Sequence, residues 1–345
     1  MMEKYGIIHY LQSKDMGIIL IGDYSTKRTD FFMEAAKSLN EEVTVMPYSN
    51  IDTRMLEGAV VKIDPPSTSV VDLEEENENL SQYIRVLNEL KSVNCRFLNN
   101  PEDIQKVLDK YECKKILMDN NIPVSTMFLQ RIADIEQLHN VMDESGINQV
   151  FIKPKFYSGA AGVVAYRRNI VRNKRQLFTS ACIEKEHIIN TKKLKKFENN
   201  EEIDEILENI LKLDCVVEVW MPKANYKGML YDLRVVWQFG RVEFMVARTS
   251  RGPITNLHLN NGAVKWEDIG LQEEDIMKIN ALCESAMKCF PGLNMAGIDI
   301  AFTKNMKTAY IIEINGQGDL IYQDIYNENI IYTNQVKEMK RWLLT

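Results

Sequence analysis

Two short apolar runs in the last third of the chain each carry an acid where a strand would bury it. They are Gly297-Ile298-Asp299-Ile300 and Ile311-Ile312-Glu313-Ile314-Asn315. Strand side chains alternate between faces, so Glu313 and Asn315 share one face. If the runs pair as a hairpin through the polar turn Thr303 to Lys307, Asp299 joins that face. Two carboxylates and an amide oxygen form a hard-oxygen site suited to Mg²⁺. The other reading is a hairpin's outward polar face. The flanking apolar residues favour burial on both sides, and a buried carboxylate needs a partner.

The chain has 345 residues, enough for two or three domains. A hydrophobic fraction of 45% and a charged fraction of 26% exclude the disordered and fibrous classes. A formal net charge of −7 argues against general nucleic-acid binding. No apolar run approaches the about 20 residues of a membrane helix. Met1 to Tyr10 shows no secretory signal, and Met1 to Met16 suggests no role. The six cysteines form no CxxC pair, so they read as reduced residues of a cytoplasmic protein. Only four histidines are present and none sits near a cysteine pair, which disfavours zinc.

The run Gly17 to Gly22, a helix from Phe31 to Leu39 and the strand Val43-Thr44-Val45 suggest a doubly wound α/β unit. Five acids between Asp72 and Glu78 precede a helix from Leu80 to Leu90, where they suit its dipole better than a cation site. Pro101 opens another helix, and Asp109 to Asn120 continues helical. Beyond Pro123 come the strands Gln149 to Pro154, Val163 to Tyr166 and Val216 to Trp220, with an acidic helix from Glu201 to Leu211. The insertion-like stretch Arg167 to Lys196 carries ten basic residues against Glu184 and Glu186. Leu233 to Phe239 and Val242 to Arg248 flank the hairpin turn Gly240-Arg241. Gln272 to Phe290 reads as a helix. The expected domains are 1–120, 121–220 and 221–345.

Two further patterns carry chemistry. Lys153 ends a strand and precedes the loop Ser158-Gly159-Ala160-Ala161-Gly162, which suits a polyphosphate held by one charge and by backbone N–H groups. Its order is the reverse of the usual phosphate loop, and an ordinary hairpin turn is the alternative. Asp232 and Arg234 share a strand face, followed by Arg248, Arg251 and Asn256. Guanidinium groups neutralise a transferring phosphoryl group without proton chemistry.

The order Lys114, Lys153 with its glycine loop, Glu218, Asp232-Leu-Arg234, Arg248, Asn256, Asp299 and Glu313-Ile-Asn315 resembles the ATP-grasp superfamily. The resemblance runs from about residue 15 to 320. It is similar to the branch of ribosomal-protein glutamate ligases and glutathione synthetases, which also holds ligases that modify ribosomally made peptides. It implies a three-subdomain ATP-grasp fold: a doubly wound N-terminal domain, a central lid and a C-terminal antiparallel sheet, α+β in that part. ATP would lie between lid and sheet.

In this resemblance Lys114 (or Lys110 or Lys115) is an early ATP-binding lysine, Lys153 binds the α- and β-phosphates, and Ser158, Gly159 and Gly162 belong to the loop that covers them. Glu218, Val219, Trp220 and Met221 form the adenine hinge. Asp299, Glu313 and Asn315 hold two Mg²⁺ ions, and Arg234, Arg248 and Asn256 face the γ-phosphate. The implied reaction activates a carboxylate as an acyl phosphate and joins it to an amine or hydroxyl. A peptide substrate is expected, possible macrocyclisation of a ribosomal peptide included. Free amino acids or small metabolites are the alternative, and a non-catalytic nucleotide-binding module ranks lower. The basic stretch 167–196 would recruit an acidic leader peptide, or is a solvated face with a mobile loop. No nucleic-acid or membrane partner is expected, and a homo-oligomer is open. Asn260-Asn261-Gly262 and Gly316-Gln317-Gly318-Asp319-Leu320 depart from the glutamate-ligase pattern, so glutamate is not carried over. His258 is a structural or a proton-transfer residue.

Overall fold

The computed structural model describes residues 17–24, 26–67, 71–259, 261–318 and 328–345. Readings on Met1 to Met16, Asn260, Asp319 and Leu320, and on the side chains of Lys192 and His258, lie outside the described residues. The fold is mixed α/β with three sheets. Among the described residues, no helix is long and apolar enough to cross a membrane.

Two compact units divide the chain. The first contains β1 (Ile18–Ile21), β2 (Val43–Met46), β3 (Val60–Ile63) and β4 (Arg96–Phe97), in parallel order β2-β1-β3-β4. All four residues of β1 and of β3 are buried, as strands covered on both faces must be. The helix Lys27–Ser38 is capped by Thr26, whose hydroxyl accepts from the Thr29 amide at 3.0 Å. It starts four residues before the expected Phe31, because the cap and not the first aromatic residue sets its beginning. The C-terminal helix Ile330–Leu343 belongs to this unit.

The second unit holds two sheets. In the first, β5 (Gln149–Pro154), β6 (Val164–Asn169), β7 (Lys174–Glu184), β8 (His187–Phe197) and β9 (Cys215–Val219) pair in the order β8-β7-β6-β5-β9. Val150 and Ile152 face a core with Leu138, Ile203 and Leu207 of the helices Ile135–Glu144 and Asn200–Leu211. Strand alternation therefore turns Phe151 and Lys153 to the opposite face. The basic stretch 167–196 takes in the end of β6, all of β7 and most of β8, so it is largely strand and not loop.

The other sheet holds β10 (Asn225–Tyr226), β11 (Met229–Gln238), β12 (Arg241–Ser250), β13 (Gly262–Lys265), β14 (Met295–Phe302) and β15 (Ala309–Asn315). Its order is β13-β12-β11-β14-β15, with β10 on β11, and the helix Glu273–Met287 packs against β12 and β15. The three sheets fall one in each of the segments 1–120, 121–220 and 221–345. Compactness cuts elsewhere, grouping residues 328–345 with the first sheet and the helices Leu73–Leu90, Pro101–Leu108 and Lys110–Asp119 with the second unit.

Candidate functional site

The expected run from Asp109 to Asn120 is broken at its first residue. Asp109 ends the helix Pro101–Leu108 and caps the next one, accepting from the Tyr111 and Glu112 amides at 3.0 and 3.1 Å. That fresh start places Lys110 and Lys114 one turn apart on the same face, and both are buried. Lys114 reaches Glu218 Oε1 of β9 at 2.6 Å. Lys153 of β5 reaches Glu218 Oε2 at 2.9 Å. The Ser125 hydroxyl accepts from Lys114 and donates to Glu218 Oε2, both at 2.7 Å.

Two ammonium groups on one buried carboxylate leave a net charge of +1. Burial pushes the Glu218 carboxyl up, but the attraction of Lys114 and Lys153 outweighs it and holds its pKa at about 2. Burial, helped by the charge of Lys153, pushes Lys114 down to about 8 against the pull of Glu218. The two ammonium groups account for the direction at Glu218, and burial for the direction at Lys114.

A second charged cluster forms on the six-stranded sheet. Strand register sets Asp232 opposite Arg248, and Arg234 opposite Asp299. Arg234 Nε donates to Asp299 Oδ1 at 2.6 Å, and Arg248 Nε donates to Asp232 Oδ1 at 2.7 Å. Arg248 also reaches Asp299 Oδ2 at 2.9 Å, and Lys223 reaches Asp232 Oδ2 at 3.3 Å. Three cations share two carboxylates, again leaving +1. Burial works against the charged forms of Asp232 and Arg248. Their mutual attraction prevails, with Asp232 held well below the usual carboxylate range and Arg248 raised further.

Between these clusters lies a cleft of ≈ 690 Å³, open to solvent. Lys110, Lys153, Glu218, Val219, Met221, Arg248, Asn256, Asp299 and Glu313 line it, as do Ser125, Lys223, Asp232, Thr255 and Tyr310. Lys114 and Arg234 stand behind the wall, each bonded to a lining carboxylate. The pairing Asp299↔Glu313 occurs as the hairpin reading expects. A register shift follows at Ile300↔Ile311, so Ile312 is bulged and lines the cleft beside Glu313. Strict alternation misses that.

Glu313 is one-quarter exposed and lies 3.3 Å from Lys110. The Asn315 amide donates to the Gly297 carbonyl at 3.4 Å, which leaves its oxygen as a donor atom. Among the described residues, no three His, Cys, Asp or Glu side chains converge as a metal cluster. Two carboxylates and an amide oxygen nevertheless fit Mg²⁺, which takes few protein oxygens and fills its shell with water and phosphate.

The loop 158–162 reaches the cleft through Ala160 and the following Val163, whereas Ser158 is exposed and does not line it. Gly159, Ala160 and Gly162 have φ of 65°, 66° and 64°. Along the hinge segment the Glu218 carboxylate is committed to the lysines, so any hinge contact from Glu218 is its backbone's. The Val219 amide donates to the Thr126 carbonyl at 2.8 Å. Trp220 exchanges hydrogen bonds with Gln149, and its ring, which does not line the cleft, packs on Phe178 and on the lining residue Phe151. Lys223, Thr255 and Ser125 escaped the sequence reading. The signal for Lys223 was its place just after the hinge; Ser125 and Thr255 carry none.

Comparison with protein-family models finds no match, and comparison with curated proteins finds no relative. Solved structures do match over nearly the whole chain. D-cycloserine synthetase DcsG is 11% identical, with a TM-score of 0.64 over 94% of this chain and 99% of that one. Macrocyclase MdnC of Microcystis aeruginosa MRC, bound with precursor peptide MdnA, is 11% identical, with a TM-score of 0.59 over 94% and 99%. ATP-grasp ligase PsnB, complexed with minimal precursor, Mg and ADP, is 13% identical, with a TM-score of 0.57 over 95% and 98%. The chain has the fold that these ligases share.

Proposed function

We propose that the chain is an ADP-forming carboxylate ligase that joins a carboxylate to an amine or hydroxyl on a peptide substrate. The observation that carries this reading is the cleft itself. Two net-positive clusters flank it, and the Asp299–Glu313 pair lies in its lining.

A carboxylate is a poor electrophile at neutral pH. In this reading its oxygen attacks the γ-phosphorus of ATP, ADP leaves, and an acyl phosphate forms. An amine nitrogen or hydroxyl oxygen then attacks the acyl carbon and expels phosphate, so the peptide loses one water per bond. Lys110 or Lys114, with Lys153, would hold the nucleotide's phosphates. Arg248 would face the charge gathering at the γ-phosphate, with Asn256 beside it and Arg234 adding its charge from behind Asp299. Asp299, Glu313 and Asn315 would hold two Mg²⁺ ions, which supply charge neutralisation when bound. Val219, Trp220 and Met221 would carry the hinge, and the loop 158–162 would shield the phosphates from water. No step requires a serine or cysteine nucleophile. The six cysteines, none paired, suit a cytoplasmic setting.

Macrocyclisation of a ribosomal peptide is the narrower version, supported by the likeness to MdnC. The leader would lie on β8, an edge strand of its sheet, where Lys193, Lys195 and Lys196 are exposed. Arg168 and Arg175 are committed to Asp143 and Asp204 on the covering helices, so they contribute less there. A ligase of free amino acids is the second reading, supported by the likeness to a cycloserine synthetase.

The experiment is ADP release with ATP and Mg²⁺, screened against candidate peptides and amino-acid mixtures, with mass spectrometry of the products. The Asp299→Ala, Glu313→Ala double variant is the blank. Stimulated ADP release with a product one water lighter per bond supports the reading and identifies the substrate. Formation of AMP instead would refute it.

A further inference from the structure

The segment between β12 and β13 does not behave as an ordinary surface loop. Ile254 and Thr255 are buried, and Pro253 to Asn256 line the cleft. Ile254 and Leu259 pack with Ala165, against Phe151, Phe178 and Leu194 of the five-stranded sheet. The loop thus leaves one sheet and lies on the other. Something must hold its polar middle in register while its apolar residues pack.

Three side chains converge there. Lys223 Nζ donates to Thr255 Oγ1 at 2.8 Å and lies 3.3 Å from Asp232 Oδ2. The Thr255 hydroxyl in turn donates to Asp232 Oδ2. Both anchors are fixed independently of the loop. Asp232 is clamped from its other oxygen by Arg248 at 2.7 Å. The backbone beside Lys223 is pinned by Lys304 N–H on the Pro222 carbonyl at 3.1 Å and by Ala224 N–H on the Phe302 carbonyl at 2.9 Å. A buried hydroxyl between an ammonium and a carboxylate satisfies both, and its removal leaves both short of a partner.

We propose that Lys223, Asp232 and Thr255 form a latch that positions the segment 251–259, and with it Asn256, over the cleft. Lys223 and Thr255 are positioning residues. The latch as a device stands on the geometry alone; its consequence for nucleotide rests on the ligase reading.

The test uses Thr255→Val, which keeps the shape and removes the hydroxyl, and Thr255→Ser, which restores it. Arg251 is exposed at the start of the loop, so trypsin reads the loop directly. Well below the melting temperatures of both proteins, Thr255→Val should be cut at Arg251 roughly fivefold or more faster than wild type. Its affinity for ADP with Mg²⁺, by titration calorimetry, should fall roughly tenfold. Thr255→Ser should restore both, and Lys223→Gln should repeat the Thr255→Val result if that variant folds poorly. Equal cleavage of wild type and Thr255→Val, or no rescue by Thr255→Ser, would overturn the latch. A wild type that binds no ADP would sink the ligase reading, while cleavage at Arg251 still decides for or against the latch.

Discussion

Glu218 and Lys114 meet at 2.6 Å where their side chains are 2% and 5% exposed, and Lys153 occupies the carboxylate's other oxygen. One buried acid therefore holds two cations at the cleft, and the surplus charge is available to an anion. Removing the acid and removing a cation should have opposite consequences. Glu218→Gln strands two buried ammonium groups and should cost about 3–5 kcal/mol of stability in denaturant unfolding. Lys114→Met leaves a neutral pair, so stability should hold while ATP affinity drops. Equal destabilisation by both would show that the triad is only structural.

The same surplus makes nucleotide binding sensitive to alkali. Lys114 sits near about 8, below its ordinary 10.5, chiefly through burial. ATP affinity should be flat below that pH and weaken as pH rises through it, because the binding cation loses its proton. Stability of the free protein runs the other way. The folded state binds fewer protons than the unfolded chain between about 8 and 10.5, so Lys114 makes stability rise with pH there. Glu218 acts at the acid end. Its contribution is full above 4.5 and is lost as pH falls toward about 2. Calorimetric titrations and melting curves across pH separate these slopes.

Asp299 and Glu313 should answer differently to loss of charge. Asp299 accepts from both Arg234 and Arg248, so Asp299→Asn should lower the melting temperature as well as abolish turnover. Glu313 is partly exposed and pairs with Lys110, so Glu313→Gln should leave melting nearly unchanged. It should instead raise the Mg²⁺ concentration for half-maximal ADP release roughly tenfold or more. An unchanged Mg²⁺ dependence would remove Glu313 from the metal site.

Gly162 offers a test of the loop. Its φ is 64°, and an added Cβ would lie 2.8 Å from Pro154 Cγ. Gly146 has nearly the same φ of 65° with nothing within 4 Å of that position. Gly146→Ala should cost only the backbone strain, about 1–2 kcal/mol. Gly162→Ala should cost more and weaken ATP binding, since Ala160 and Val163 would shift. Matching effects at both positions would show that the loop has no part in the site.

Charge reversal of Lys192, Lys193, Lys195 and Lys196 should weaken binding of an acidic peptide and flatten its salt dependence. Basal ATP affinity, measured without peptide, should stay as it is. No change in peptide binding or its salt slope would leave the β8 patch as a solvated face.

What the sequence determined by itself was local. A period of two places Asp232 with Arg234, and Glu313 with Asn315, on common strand faces, and it turns Lys153 away from the helix-covered core. The acids from Asp72 to Glu78 read as suiting the dipole of a helix from Leu80; the helix starts earlier, at Leu73, and Asp72 caps it by accepting from the Glu74 and Glu75 amides. The order of the motifs was sufficient to expect the ATP-grasp fold. Only the tertiary structure decided which charges meet. Nothing local says that Glu218 takes both lysines, that Asp232 takes Arg248, Lys223 and Thr255, or that Ile312 is bulged into the cleft. The basic stretch left a mobile loop open as a reading because charge density says nothing of hydrogen-bonding partners, and β7 supplies those to β8. Side-chain direction along a strand follows from backbone geometry that every residue shares. Pairing between buried charges depends on register, bulges and long-range packing, which the folded chain settles collectively because no buried charge can be left alone.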